Sequence, residues 1–116
     1  MPEKVTAGRD ALGTFAPTFA RLNDDVLFGQ VWSREEELSP RIRSIVTVTA
    51  LMSSGVLDGS LRHHIGLAKA NGVTAEEMAE VLTHAAFYAG WPKAWATFRV
   101  ATEIYGAEVP RQTGRA

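Results

Sequence analysis

The chain has 116 residues, of which 46% are apolar and 22% charged, a composition typical of one folded globular domain with a modest core. Its formal net charge of -1 gives no electrostatic basis for binding nucleic acid or an anionic membrane surface. The absence of cysteine excludes disulfides, thiolate nucleophiles and cysteine-bound metal or iron–sulfur sites. No apolar run is long enough to cross a membrane, and the N-terminus leads into no hydrophobic signal segment, so we expect a cytoplasmic protein.

The first forty residues predict short helices with irregular spacing. Residues 3–12 are expected to form a first helix that ends near Gly13. Apolar residues recur through 15–31, but polar residues at 23–25 interrupt the pattern, which favours two short helices over one long helix. The polar stretch 33–37 is expected to be a loop or a single turn.

Clearer capping signals follow in the middle of the chain. Ser39 and Pro40 suit the N-cap and the first position of a helix over 40–54. The β-branched run 45–49 is the one rival strand signal, and the Ser-Pro start argues against it. Asp58 is the expected N-cap of a second helix, over 58–70.

Two further helices complete the predicted all-α chain. Thr74 and Glu77 have the spacing of a capping box, so we expect a third helix over 74–89. Gly90 should end that helix, and a fourth should continue from there to about residue 105. Residues 107–116 are expected to form a frayed tail.

Two histidines lie at helical positions that repeat with apolar residues. His64 shares a helical face with Leu61, Ile65 and Ala68. His84 shares one with Val81, Ala85 and Tyr88. We therefore expect both histidines to face inward, where they could meet in one pocket or serve as satisfied core or interface residues. Without a nearby inward carboxylate they are a poor ligand set, so no metal site is predicted.

Two arginines, Arg41 and Arg43, lie in the first turn of the predicted helix 40–54. They are either solvated or paired with Glu36 and Glu37, or one of them binds a substrate carboxylate through its planar guanidinium. No Ser-His-Asp order, phosphate loop or dinucleotide fingerprint is present. Three tryptophans either line a pocket or provide core or interface bulk, namely Trp32, Trp91 and Trp95.

Three stretches, 28–48, 64–77 and 80–94, resemble successive parts of gamma-carboxymuconolactone decarboxylases. The resemblance is colinear over about 28–105, and several motifs in order are more specific than any one of them. The chain is therefore identified as a member of the carboxymuconolactone decarboxylase family, within the alkylhydroperoxidase D-like superfamily.

The redox branch of that superfamily uses a glutamate, a Cys-x-x-Cys pair and a histidine. At the matching positions this chain has Ser44 for the glutamate and Leu57 and Ser60 for the two cysteines. Only the histidine matches, at His64. Thiol peroxidase activity is therefore not expected, and the resemblance places the chain in a cysteine-less, decarboxylase-type branch.

The resemblance implies an alkylhydroperoxidase D-like bundle of about six helices, assembled as a homo-oligomer, either a trimer or a hexamer. It also implies a cofactor-free decarboxylase that acts on a carboxylated butenolide, or a related lactone or acid, in aromatic-acid catabolism. No nucleic acid or membrane partner is expected. The alternatives are another cofactor-free isomerase or hydrolase of a related ring, and a non-catalytic helical oligomer that binds a small acid.

On the basis of this resemblance, we hypothesise roles for individual residues. Arg43 or Arg41 would anchor a carboxylate, and His64 and His84 would share oxyanion stabilisation and proton delivery. Arg34 would be a second anion contact. The aromatic residues expected to exclude water from the site are Trp32, Tyr88 and Trp91.

Overall fold

The computed structural model describes residues 4–106, and within that range the chain is helical with no β-strand. The prediction of an all-α chain of about six helices is confirmed. The described elements are α1 (Ala7–Leu12), α2 (Pro17–Arg21), a π-helical segment (Leu22–Val31), α3 (Pro40–Ser54), α4 (Gly59–Ala70), α5 (Ala75–Ala89) and α6 (Trp91–Tyr105).

The chain divides into two compact units between Pro40 and Arg41. The first unit contains α1, α2 and the π-helical segment, and the second contains α3 to α6. The expectation of a single domain over 1–116 stays a prediction. The frayed tail expected at 107–116 lies outside the described residues.

In the first unit, Asp24 joins the π-helical segment to the start of α1. Its buried carboxylate accepts hydrogen bonds from the backbone N–H groups of Gly8 (2.8 Å) and Arg9 (3.0 Å) and from the Asn23 side chain (2.9 Å). The Arg9 guanidinium forms a two-pronged pair with Asp25, at 2.9 and 2.8 Å. A carboxylate distant in sequence thus satisfies N–H groups that the first turn of a helix leaves open.

The prediction of a first helix over 3–12 placed its start too early, and the Asp24 contact explains why. Residues 4–6 are not helical, and α1 starts at Ala7. The Thr6 side chain does not cap α1. The Asp24 carboxylate accepts hydrogen bonds from the N–H groups of Gly8 and Arg9 instead. A six-residue helix is too short to be stable alone, so its position follows this tertiary contact.

The expected break at 23–25 is also wrong. The chain enters α2 at Pro17 and continues without interruption into the π-helical segment, which includes 23–25. Asparagine and aspartate usually disrupt a helix because their side chains compete for its backbone. Here the Asp24 carboxylate is occupied by α1, so that competition is removed.

In the second unit the predicted helix starts are confirmed. α3 begins at Pro40, and the Asp58 side chain accepts a hydrogen bond from the Ser60 N–H (2.9 Å) at the start of α4. Thr74 and Glu77 form both halves of the predicted capping box before α5. Gly90, with φ of 117°, makes the turn between α5 and α6 that a side chain would strain.

The core of the second unit is made by α3 to α6. α6 packs on α4 and α5. Each large core side chain stabilises the fold by about 1.5–3 kcal/mol on burial. The largest fully buried apolar side chains are Val48, Met52, Leu61, Ile65, Val73, Met78 and Leu82.

Gly8→Ala should destabilise the first unit by about 1–3 kcal/mol. An added Cβ would lie 2.7 Å from Asp24 Oδ1 and 2.9 Å from the Ala20 carbonyl oxygen. The matched control is Gly59→Ala, whose Cβ would meet no atom within 4 Å at a φ suited to any residue; it should be neutral or stabilise by up to about 1 kcal/mol. Urea unfolding followed by circular dichroism tests both, and equal effects would contradict the proposed close approach.

Candidate functional site

The first turn of α3 is tied to the start of α5 by Arg41. Its Nη2 donates to Glu77 Oε2, and both side chains are partly exposed. Glu77 Oε1 also accepts a hydrogen bond from the Thr74 N–H at 2.9 Å. The Thr74 N–H and the Arg41 charge outweigh partial burial and hold the pKa of Glu77 below its usual range. Arg41 therefore pairs with a residue 36 positions away, not with Glu36 or Glu37, which the sequence offered as one alternative.

A second side-chain contact lies one turn further along α3. The Asn71 side-chain amide donates to the Ser44 hydroxyl at 3.0 Å. Ser44 is fully buried, and Asn71 ends α4. This contact gives a buried polar group a partner inside the fold.

Arg43 lies between these two tethered positions, and its side chain is half-buried. Successive helical residues are about 100° apart, so Arg41 and Ser44 share one face of α3 while Arg43 points away from it. The Arg43 carbonyl accepts a hydrogen bond from the Thr47 hydroxyl at 2.8 Å. Of the two arginines proposed to anchor a carboxylate, Arg41 is paired with Glu77.

His64 lies at the edge of the predicted apolar face of α4. Leu61, Ile65 and Ala68 are fully buried, as expected, while His64 is half-buried with its Nδ1 atom shielded from solvent. The exposed ring of His63 lies 5.0 Å from it, edge to face. Burial, and to a smaller extent the charge of His63, lower the pKa of His64. Its imidazole is therefore mostly neutral at pH 7.

The expectation that His84 faces inward is wrong for the single chain. His84 is exposed, and its ring lies 5.3 Å from the ring of Tyr88, which is 82% exposed. The apolar spacing of α5 fits two neighbouring faces, and small alanines decide which face is buried. The buried residues of α5 are Ala75, Met78, Leu82, Ala85 and Ala86.

Large aromatic side chains are exposed around the turn from α5 to α6. Phe87 is 76% exposed and meets Trp91, itself 54% exposed, edge to face at 5.5 Å. Trp95 is 58% exposed, and the Arg99 guanidinium lies 5.5 Å from its ring centre. We call Phe87, Tyr88, Trp91 and Trp95 the aromatic surface. Several large exposed apolar side chains near one turn are typical of binding interfaces.

The remaining predicted site residues lie in the first unit. Trp32 follows the π-helical segment, is half-buried and stacks on Phe28 with ring centres 6.0 Å apart. Arg34 is exposed and pairs with Glu37 at 3.6 Å. Exposed pairs of this kind contribute little stability.

A cavity of about 120 Å³ lies between α5 and α6, but none of the predicted site residues lines it. Its walls are almost wholly apolar, which is a poor environment for carboxylates. The lining residues are Ala75, Met78, Ala79, Phe98, Ala101, Thr102 and Tyr105.

Within residues 4–106, histidine, aspartate and glutamate side chains do not come together in any group of three or more that could hold a metal ion. Among the same residues, no helix is long and apolar enough to cross a membrane.

Sequence reasoning missed Asn71, Glu77 and Ser44 as residues that shape the site. The capping-box pattern found Glu77 only as a helix start, because its second partner, Arg41, is distant in sequence. Asn71 could be read only as a helix end, although its side chain also reaches α3. Neither contact has a local sequence signal.

Comparison with known proteins gives two findings. The model of the family described as "Carboxymuconolactone decarboxylase family" matches residues 17–103. The chain is also 34% identical over 101 residues to a protein from Acinetobacter baylyi named 4-carboxymuconolactone decarboxylase, covering 87% of this chain and 74% of that relative. The family match begins at Pro17, ahead of the motifs that first carried the resemblance.

The lowered pKa of His64 predicts a pH-dependent stability. Below the ordinary histidine pKa of about 6.5, the unfolded chain takes up a proton at His64 more readily than the folded chain. The free energy of unfolding should therefore be full above that pH and fall as pH decreases toward the folded pKa. Urea titrations between pH 5 and 7.5 should show a weaker fall in His64→Gln. His63→Gln should retain most of it, and identical profiles for both variants would refute the assignment.

Proposed function

Because the chain belongs to the carboxymuconolactone decarboxylase family and is a carbon–carbon lyase of the decarboxylase type, we propose that its substrate is a carboxylated butenolide. The similarity to a protein named 4-carboxymuconolactone decarboxylase is the observation that carries this proposal. We take 4-carboxymuconolactone, or a close relative, as the substrate and propose that no cofactor takes part.

The chemistry of this substrate class explains how such a reaction proceeds. The bond from the ring carbon to its carboxylate breaks, and carbon dioxide leaves without the bonding electron pair. That pair spreads through the ring onto the lactone carbonyl oxygen, which gives an oxyfuran-like anion. A proton then adds to a ring carbon, so each turnover consumes one proton. The protein has to anchor a carboxylate of the substrate, stabilise the oxyanion and deliver the proton.

Arg43 is the proposed carboxylate anchor. A guanidinium offers two parallel N–H donors that match the two oxygens of a carboxylate. Its half-buried position reduces competition from water, which strengthens the interaction with an anion. Arg41 has the same chemistry, but its charge is compensated by Glu77. Arg34 and the aromatic residue Trp32 stay proposed contacts from the first unit.

His64 is the proposed stabiliser of the oxyanion. A neutral imidazole carries one N–H donor and one acceptor nitrogen. Because burial lowers its pKa, His64 is in this form at neutral pH and can donate its N–H to the developing oxyanion. As pH falls, the imidazolium form can also supply the proton. The exposed His84 stays a proposed second proton donor, and Tyr88 and Trp91 are proposed to exclude water.

The test is release of carbon dioxide from 4-carboxymuconolactone by the purified protein. His64→Gln should lower kcat by about 10²- to 10⁴-fold, the usual contribution of a positioned acid–base group. His63→Gln is the matched control and should stay close to wild type, because His63 is exposed on the adjacent position. Unchanged turnover in a folded His64→Gln protein would remove His64 from the mechanism. Binding without carbon dioxide release by the wild type would favour the non-catalytic alternative.

We also propose that the protein works as a homo-oligomer, either a trimer or a hexamer. The support is the aromatic surface, whose four side chains are each more than half exposed in the single chain. Aromatic residues are enriched at interface centres, where they are fully desolvated. His84 lies against Tyr88 of this surface, so a second copy packed there would enclose a histidine that one chain leaves in solvent.

Light scattering after gel filtration should give a mass of three or six chains. Phe87→Glu should shift the protein to smaller species, because a buried charge without a partner is strongly unfavourable at an interface. Phe15→Glu is the control, since Phe15 is 90% exposed and lies in the first unit, away from the aromatic surface in sequence. A wild-type monomer, or a Phe87→Glu protein of unchanged mass, would contradict this proposal.

A further inference from the structure

We propose that the connection between α4 and α5, residues 71–74, positions Arg43 for its substrate through Asn71 and through Glu77 in the first turn of α5. Neither residue touches substrate in this proposal, so both are positioning residues. The inference rests on the proposed function, in which Arg43 anchors a substrate carboxylate.

The first observation is that the two contacts bracket Arg43. Glu77 pairs with Arg41, two residues before it, and Asn71 donates to Ser44, one residue after it, at 3.0 Å. Both contacts start from the same short piece of chain. The backbone that carries Arg43 is therefore held from one side at two successive points.

The second observation is that this piece of chain is itself firmly held. The Asn71 N–H donates to the Leu67 carbonyl (2.8 Å) and the Val73 N–H to the Ala68 carbonyl (3.0 Å), which closes the end of α4. The buried Tyr105 hydroxyl donates to the Val73 carbonyl at 2.7 Å. The capping box then fixes the start of α5. A segment whose backbone groups are all hydrogen-bonded moves little, so it restrains the side chains that it contacts.

The third observation concerns direction and charge. Arg41 and Ser44 face the connection, whereas Arg43 projects from another side of α3. Asn71 and Glu77 can thus hold the helix without competing for the Arg43 guanidinium. The Glu77 carboxylate also compensates the charge of Arg41. Small displacements of a binding group are costly because directional hydrogen bonds weaken steeply with misalignment.

The experiment is a double-mutant cycle between Glu77 and Arg43, with KM and kcat measured on 4-carboxymuconolactone. Glu77→Gln keeps a side chain that suits the capping box but removes the charge that pairs with Arg41. It should raise KM about 3- to 10-fold and leave kcat within about twofold. Arg43→Gln should raise KM about 10- to 100-fold. In the Arg43→Gln background, Glu77→Gln should have no further effect.

Two more variants separate positioning from general effects of charge or folding. Glu76→Gln removes the same charge from the neighbouring, exposed position and should leave KM unchanged. Ser44→Ala removes the acceptor of the Asn71 hydrogen bond with a good helix former. It should raise KM in the same way as Glu77→Gln, and that rise should also vanish in the Arg43→Gln background. Circular dichroism and thermal unfolding establish that each variant is folded.

The outcomes distinguish this inference from the proposed function. If Arg43→Gln leaves KM unchanged, Arg43 is not the anchor and the proposed function loses that residue. If Arg43→Gln raises KM but the effects of Glu77→Gln and Arg43→Gln multiply, Arg43 stands and the positioning role is overturned. Equal KM increases in Glu76→Gln and Glu77→Gln, or a fall in kcat alone, would also overturn it.

Discussion

The contact between Glu77 and Arg41 is the constraint on which the proposed site depends. The Glu77 carboxylate accepts a hydrogen bond from the Thr74 N–H at the start of α5 and compensates a charge in the first turn of α3. An exposed pair would contribute little by itself. Here the pair is joined to a capping box, so separating the two helices would disrupt a helix end as well as an ion pair. This combination joins the first turn of α3 to the start of α5.

The second unit could be predicted from sequence because its helices carry local start and stop signals. Pro40, Asp58, Thr74 and Gly90 each act on backbone groups within a few residues, and each element begins or ends where these residues require. The first unit could not be predicted in this way. α1 takes its start from Asp24, and the residues around Asp24 continue a helix because α1 occupies its carboxylate. The two segments stabilise each other through residues that are distant in sequence, and such contacts produce no periodic sequence pattern.

The candidate site shows the same division. The phase of α4 was predictable because Leu61 and Ile65 are large, and their burial fixes the position of His64 at the edge of the core. The phase of α5 was not, because its buried face includes several alanines, which weigh little in a hydrophobic pattern. The predicted apolar stripe was displaced by one position from the buried face. That error placed His84 on the inward side, whereas it is exposed in the structure. The partner of Arg41 was equally hidden, because Glu77 lies 36 positions away in the sequence.

The absent cysteines gain a structural counterpart in Ser44. The resemblance implies that the redox branch places a glutamate at this position, as part of a proton relay to its thiols. In this chain the position is fully buried and its hydroxyl accepts a hydrogen bond from Asn71. A buried glutamate there would need compensation for its charge, whereas serine needs one neutral partner. The residue thus supports the fold, and the one matching residue that can still exchange a proton is His64, whose lowered pKa suits a neutral hydrogen-bond donor. The thiol relay is therefore absent from this chain, and His64 is the residue of that motif on which the proposed acid–base role depends.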